Sequence, residues 1–139
     1  MANDKAKNNA YNRVQGQKYQ AQAREYEAKH AANEEKLRRL REAKKKLETA
    51  ITDYDTFKKN TEKIESDISE SDFKGDIRNK FKTSVKTVTK DINSDINKHQ
   101  ANLSSLSGKI AGLELEQGNL LSWAANAWDT AANFFKSLV

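Results

Sequence analysis

Residues 37–68, LRRLREAKKKLETAITDYDTFKKNTEKIESDI, decide the fold. Leu37, Leu40, Leu47, Ile51, Tyr54, Phe57, Ile64 and Ile68 recur at threes, fours and sevens. That is the spacing of an apolar helix face that packs on another helix. One heptad column runs Tyr19, Tyr26, Asn33, Leu40, Leu47, Tyr54, Thr61, Ile68. Its polar members, Asn33 and Thr61, weaken the seam locally. The seam stops at Ile68. Ser69, Ser71 and Asp72 then offer N-caps and Gly75 follows, so a turn is expected near 69–75.

A second seam begins beyond it: Ile77, Phe81, Val85, Val88, Ile92, Ile96, His99, Leu103, Leu106, Ile110 and Leu113. Its steps repeat over eleven residues (77, 88, 99, 110), which favours a nearly straight or slightly right-handed helix. The β-branched run at Val85, Thr87, Val88 and Thr89 lowers helix propensity, but the period excludes a strand. An antiparallel hairpin turning near Ser71–Asp72 pairs residues whose numbers sum to about 146. That register sets Ile68 opposite Ile77, Ile64 near Phe81, Phe57 near Val88 and Tyr54 near Ile92. Leu47 then meets His99, Leu40 meets Leu106, Tyr26 faces Leu120 and Tyr19 faces Trp128.

Outside this hairpin, residues 1–36 form a polar arm of good helix formers with sparse apolar anchors. Residues 118–139 are an amphipathic helical segment carrying Trp123, Trp128, Phe134 and Phe135. Gly108, Gly112 and Gly118 are expected to loosen the second helix, bend it or admit a close neighbour. A competing arrangement breaks at Gly118 and folds the aromatic tail back as a third helix. The expected architecture is all-α: one domain, an elongated antiparallel two-helix hairpin over 37–117, with the arm at 1–36 and the aromatic segment at 118–139.

The 139 residues include no proline and no cysteine. Nothing therefore interrupts a long helix through a fixed φ, and no disulfide or thiol chemistry is available. Hydrophobic residues are 36% and charged residues 32%, with a mean hydropathy of -0.96. That is too polar for a broad globular core and suits a narrow helical seam. The first ten residues hold no apolar core of a secretory signal, and no run of about 20 apolar residues suggests a membrane span. A cytoplasmic chain is expected.

The catalytic inventory is thin. His30 and His99 are the only histidines, and no metal-binding spacing or glycine-rich phosphate loop is present. No enzymatic activity, metal, cofactor or small-molecule substrate is expected. The net charge of +5 resides wholly in residues 1–66, which carry 16 Lys/Arg against 11 Asp/Glu. The excess peaks at Lys36, Arg38, Arg39, Arg41, Lys44, Lys45 and Lys46. This cluster is read as a solvated flank of the seam, since no aromatic interleaves with it. Nonspecific nucleic-acid binding is one alternative and a self-associating coiled coil another. The polar stripe of the C-terminal segment is Asn, Ser and Asp, not Lys or Arg, which argues against a membrane surface there. Internal packing or a partner helix suits it better.

Phe73-x-Gly75, with Phe81 six residues beyond the glycine, and Gly108-Lys109-Ile110 with Leu113-Glu114 carry a resemblance. Over about residues 34–135 the chain resembles the WXG, or Esx-like, helical hairpins of type VII secretion. The YwqH-like branch, encoded beside LXG toxins, is the nearer likeness. The superfamily's Trp-x-Gly is Phe-x-Gly here, and its Tyr-x-x-x-Asp/Glu export signal is absent: Gln15, Ala23, His30 and Lys58 follow the four tyrosines. The resemblance implies an accessory factor, or targeting chaperone. It would bind the LXG domain of a secreted toxin, alongside a second small helical protein, and be co-secreted with it. Phe73 and Gly75, with Phe81, would build the turn. Tyr19, Tyr26, Trp123, Trp128, Phe134 and Phe135 are the candidate anchors for the partner.

Overall fold

The computed structural model describes residues 2–67 and 75–139. They form two helices, α1 (Ala2–Asp67, 66 residues) and α2 (Asp76–Lys136, 61 residues). The fold is all-α, and the two helices pack antiparallel as a hairpin. Without proline, neither helix loses an internal hydrogen bond, and the arm 1–36 continues directly into the seam helix. The β-branched stretch at 85–89 stays helical, because its apolar face is buried at Val85 and Ile92.

α2 also runs through Gly118 without a break, so there is no third helix among the described residues. Nothing lies within 4 Å of where a Cβ would stand at Gly108, Gly112 or Gly118. The expected close neighbour at these glycines is therefore not found. Each costs about 1 kcal/mol of helix propensity relative to alanine, which pairing of the surrounding residues absorbs.

The chain divides into two compact units: Met1–Arg39 with Ile110–Val139, and Leu40–Lys109. The first unit buries Ala23, Leu37, Ile110, Leu120, Ala124, Ala127 and Ala131. Leu37 and Leu120 are its large, fully enclosed side chains, each stabilising by about 1.5–3 kcal/mol through burial. Ala124, Ala127 and Ala131 recur at three and four, so α2 presents a low ridge here and aromatic rings pack beside it. The second unit buries Val85, Ile92, Ile96 and Thr61. Thr61 returns its hydroxyl to the Phe57 carbonyl, 2.9 Å away, and so enters the seam without an unpaired donor.

The register differs from the one the stripes suggest. In the second unit Tyr54 lies over His99, with ring centroids 5.2 Å apart, in place of Ile92. Leu47 shares a groove with Leu106 in place of His99. Both partners are displaced along α2 by seven residues. In the first unit Tyr26 meets Trp123, three residues beyond Leu120, and Tyr19 meets Phe134, six beyond Trp128, while Tyr11 with Phe134, Lys29 with Glu116 and His30 with Gln117 keep the expected sum of about 146. In the second unit the physical reason is the period itself. A slip of one heptad turns an ideal helix by only about 20°, so the same stripe still faces inward and apolar spacing cannot tell the two registers apart.

The seam is also narrower than expected in the second unit. Phe57, Ile64, Ile77 and Val88, all expected inside it, are 55%, 50%, 67% and 41% exposed. Ala50, Phe57 and Ile64 form a heptad column beside the inward one at Leu47, Tyr54 and Thr61. A single facing helix covers one such column, not two. The expected turn at Ser69–Asp72, with Ile68 and Phe73, lies outside the described residues.

Gly75 stands at the entry to α2 with φ +67°, and its carbonyl accepts the Asn79 amide at 3.2 Å. Its Cβ position is open, so a side chain there meets only backbone strain. Gly75→Ala is expected to cost about 1–2 kcal/mol in urea unfolding. Gly75→Asn, which tolerates left-handed φ, is expected to cost less than half of that.

Candidate functional site

The first unit gathers all six candidate aromatic anchors. Tyr19 stacks on Phe134, centroids 5.7 Å apart with planes 10° from parallel, and Tyr11 meets the same ring edge-on at 6.3 Å. Tyr26 tilts against Trp123 at 5.8 Å. The indole N–H of Trp128 donates to the Glu27 carboxylate, and the Arg24 guanidinium lies 5.9 Å from its ring. Trp128 is half-buried, and the bond gives its N–H a partner where water is partly excluded. Phe135 occupies the hollow above Gly16, where a Cβ would stand 2.7 Å from the ring.

The end of α2 is held by polar contacts. The Asn9 side chain donates to the Val139 carbonyl and accepts the Val139 amide, both at 3.0 Å. Asn12 donates to the Ser137 carbonyl at 3.4 Å. These carbonyls lie just beyond the end of α2, where no helical turn supplies a donor. The polar arm at 1–36 is therefore a second helical layer for the aromatic segment. The alternation of Asn, Gln and Tyr along it supplies both rings and amides.

Trp123 differs from the rest. It is 47% exposed and borders a shallow groove of about 210 Å³ with Tyr19, Tyr26, Ala127 and Thr130. The Gln22 amide donates to the Tyr26 hydroxyl at 3.1 Å on the same surface. Tyr11, Val14, Leu115, Leu121 and Val139 are also exposed in this unit. An indole half open beside two phenols can anchor an apolar side chain of a partner while the polar rim excludes water.

A polar layer lies between this surface and Leu37. The Gln117 amide donates to the His30 carbonyl at 2.9 Å and to the Glu34 carboxylate at 2.8 Å. Asn33 and Gln117 are 2% and 6% exposed. Asn33 Nδ2 and Gln117 Oε1 have no hydrogen-bond partner in the protein. Beside them the Lys29 ammonium sits 3.0 Å from Glu116 and holds that carboxyl below the usual range. Sequence reasoning missed Gln117. Its signal was its place four residues after Leu113 and three before Leu120, on the seam.

The basic cluster is split between the units and partly neutralised. Arg38 donates twice to Glu35, at 2.7 and 3.0 Å, and Arg39 once, at 3.1 Å. These bonds, Arg38 first, lower the Glu35 carboxyl to about 2. Lys36 is exposed in the same unit, while Arg41, Lys44, Lys45 and Lys46 belong to the second. Exposed pairs of this kind stabilise little. Phe81, expected at the turn, is half-buried in the second unit. Among the described residues no cluster of three His, Cys, Asp or Glu side chains is placed to hold a metal ion, and no helix is long and apolar enough to cross a membrane.

Gly16 and Phe135 should behave as a coupled pair. In a Phe135→Ala background, Gly16→Ala is expected to stabilise by about 1 kcal/mol through helix propensity. With Phe135 present, the same change should give no gain or a loss, for a coupling of about 1 kcal/mol or more in a double-mutant cycle. Equal effects in both backgrounds would show that the ring does not depend on that hollow.

No family model, curated protein or solved structure matches this chain.

Proposed function

We propose that this chain is a helical accessory factor that binds the LXG domain of a type VII secreted toxin, with a second small helical protein as a further partner. The role is non-enzymatic: it covers and presents the toxin's helical segment for export and leaves the cell with it. The observation that carries this reading is apolar surface at helical spacing that the hairpin does not use. Trp123 and Leu121 in the first unit, and Phe57, Ile64 and Val88 in the second, are each 41% exposed or more. Side chains of that size and spacing suit another helix laid along the hairpin. The resemblance of Phe73-x-Gly75 and Phe81 to the Esx-like turn supplies the class of partner. The left-handed φ of Gly75 is consistent with a glycine required at that position.

The self-associating coiled coil and the nucleic-acid binder are weaker readings. Arg38 and Arg39 already share Glu35, which reduces the charge they can offer phosphate.

Co-expression with the LXG protein encoded beside it is expected to give a complex that survives gel filtration. Trp123→Ala should weaken that complex about tenfold or more, as loss of a central aromatic anchor does. Absence of any complex, with both chains folded by circular dichroism, would overturn the proposal. So would a stable homodimer in light scattering that leaves no surface for the toxin.

A further inference from the structure

The second unit carries a groove of about 620 Å³ between the helices, floored by Ala43, Ala50, Leu47 and Leu106 and flanked by Lys46 and Lys109. No carboxylate lines it, and no described carboxylate pairs with either lysine. At Ala50 it meets a second hollow, bordered by Asp53, Tyr54 and Phe57, so the basic walls are confined to the Lys46 and Lys109 end. The two form one apolar trough from Ala43 to Phe57, about 21 Å at 1.5 Å per residue. Ala43, Ala50 and Phe57 are seven apart. Two small residues and then a ring at heptad spacing make holes for the side chains of a helix, not for an extended strand.

We infer that this trough receives an amphipathic helix of another protein, acidic where it passes Lys46 and Lys109. Charge decides the occupant. Unpaired cations at the walls favour carboxylates and penalise lysines. A second copy of this chain is poorly suited, because α1 carries 16 Lys/Arg against 12 Asp/Glu and α2 carries 8 against 6. Either helix is net positive over its length, and the longest cation-free acidic stretch, 110–135, is already packed with residues 1–39 in the first unit. Four turns of a helix with apolar residues at a and d, and carboxylates where it passes Lys46 and Lys109, satisfy the floor and the walls together. The inference deepens the accessory-factor reading by assigning a surface and a charge, and it rests on that reading only for the partner's identity.

The test uses the full chain and two labelled 18-residue helical peptides with the same leucine stripe, one flanked by Glu and one by Lys. In fluorescence anisotropy the Glu peptide is expected to bind at least tenfold tighter. K46E/K109E should reverse the order, and Ala50→Trp should weaken both peptides tenfold or more. A benzophenone on the Glu peptide should cross-link to residues 43–57 and 102–109, which maps the site without any variant. Equal affinities, indifference to K46E/K109E, or cross-links elsewhere would overturn the inference. So would a homodimer that Ala50→Trp dissolves. A toxin complex unchanged by K46E/K109E would sink the trough and leave the accessory role standing. Trough-mapped peptide binding without any toxin complex would do the opposite.

Discussion

The amide of Gln117 is the group in the first unit that cannot tolerate a shifted register. Apolar stripes of period seven pair almost as well after a slip of one heptad. A buried amide does not, because its donors must find the His30 carbonyl and the Glu34 carboxylate at 2.9 and 2.8 Å. Losing them in a buried site costs about 1–3 kcal/mol. The polar layer therefore opposes a slip that rotates the apolar stripe by only about 20°. Neighbouring Asn33 Nδ2 and the second oxygen atom of the layer, Gln117 Oε1, stay unpaired in the protein. The layer thus gives up stability for specificity, as single polar residues at coiled-coil seams do. Trp128 on Glu27 and Phe135 over Gly16 act in the same sense, since each needs one particular residue opposite.

The second unit has a different character. Its interior is Val85, Ile92 and Ile96 with the half-buried Leu47, Tyr54 and Leu106, and the hydroxyl of Thr61, the buried polar side chain among its described residues, is satisfied within its own helix. Its apolar residues are more than two facing helices can cover. Phe57, Ile64 and Val88 lie outside the pairing for that reason, and the trough beside Lys46 and Lys109 follows from the small residues at Ala43 and Ala50. Incomplete coverage is the feature that connects this fold with a binding role.

Both helices, their antiparallel pairing and the inward stripe follow from spacing alone, and Asn33 and Thr61 stand in the seam as their heptad positions require. Register follows only in part: His30 and Gln117 pair as the stripes suggest, while the second unit is displaced by seven residues, a slip that apolar spacing does not distinguish. Gly16 lies among alanine and glutamine in a helical run and carries no signal until Phe135 is opposite it. The aromatic segment could equally pack inward or meet a partner on pattern alone. Contact distances separate its members, with Phe134 and Phe135 engaged by the arm and Trp123 half open. Exposure of Phe57 and Ile64 was hidden for a related reason, since a helix wheel does not say how wide a stripe its partner can cover.

Register is therefore the central claim, and the cysteine-free chain allows it to be measured cleanly. Paired cysteines at Leu47 and Leu106, treated with a short bifunctional thiol reagent, should cross-link within the monomer rapidly and in high yield. Cysteines at Leu47 and His99 lie on the same stripes but about 10 Å apart along the axis, and should react slowly. Preferential cross-linking of the Leu47–His99 pair would contradict the account.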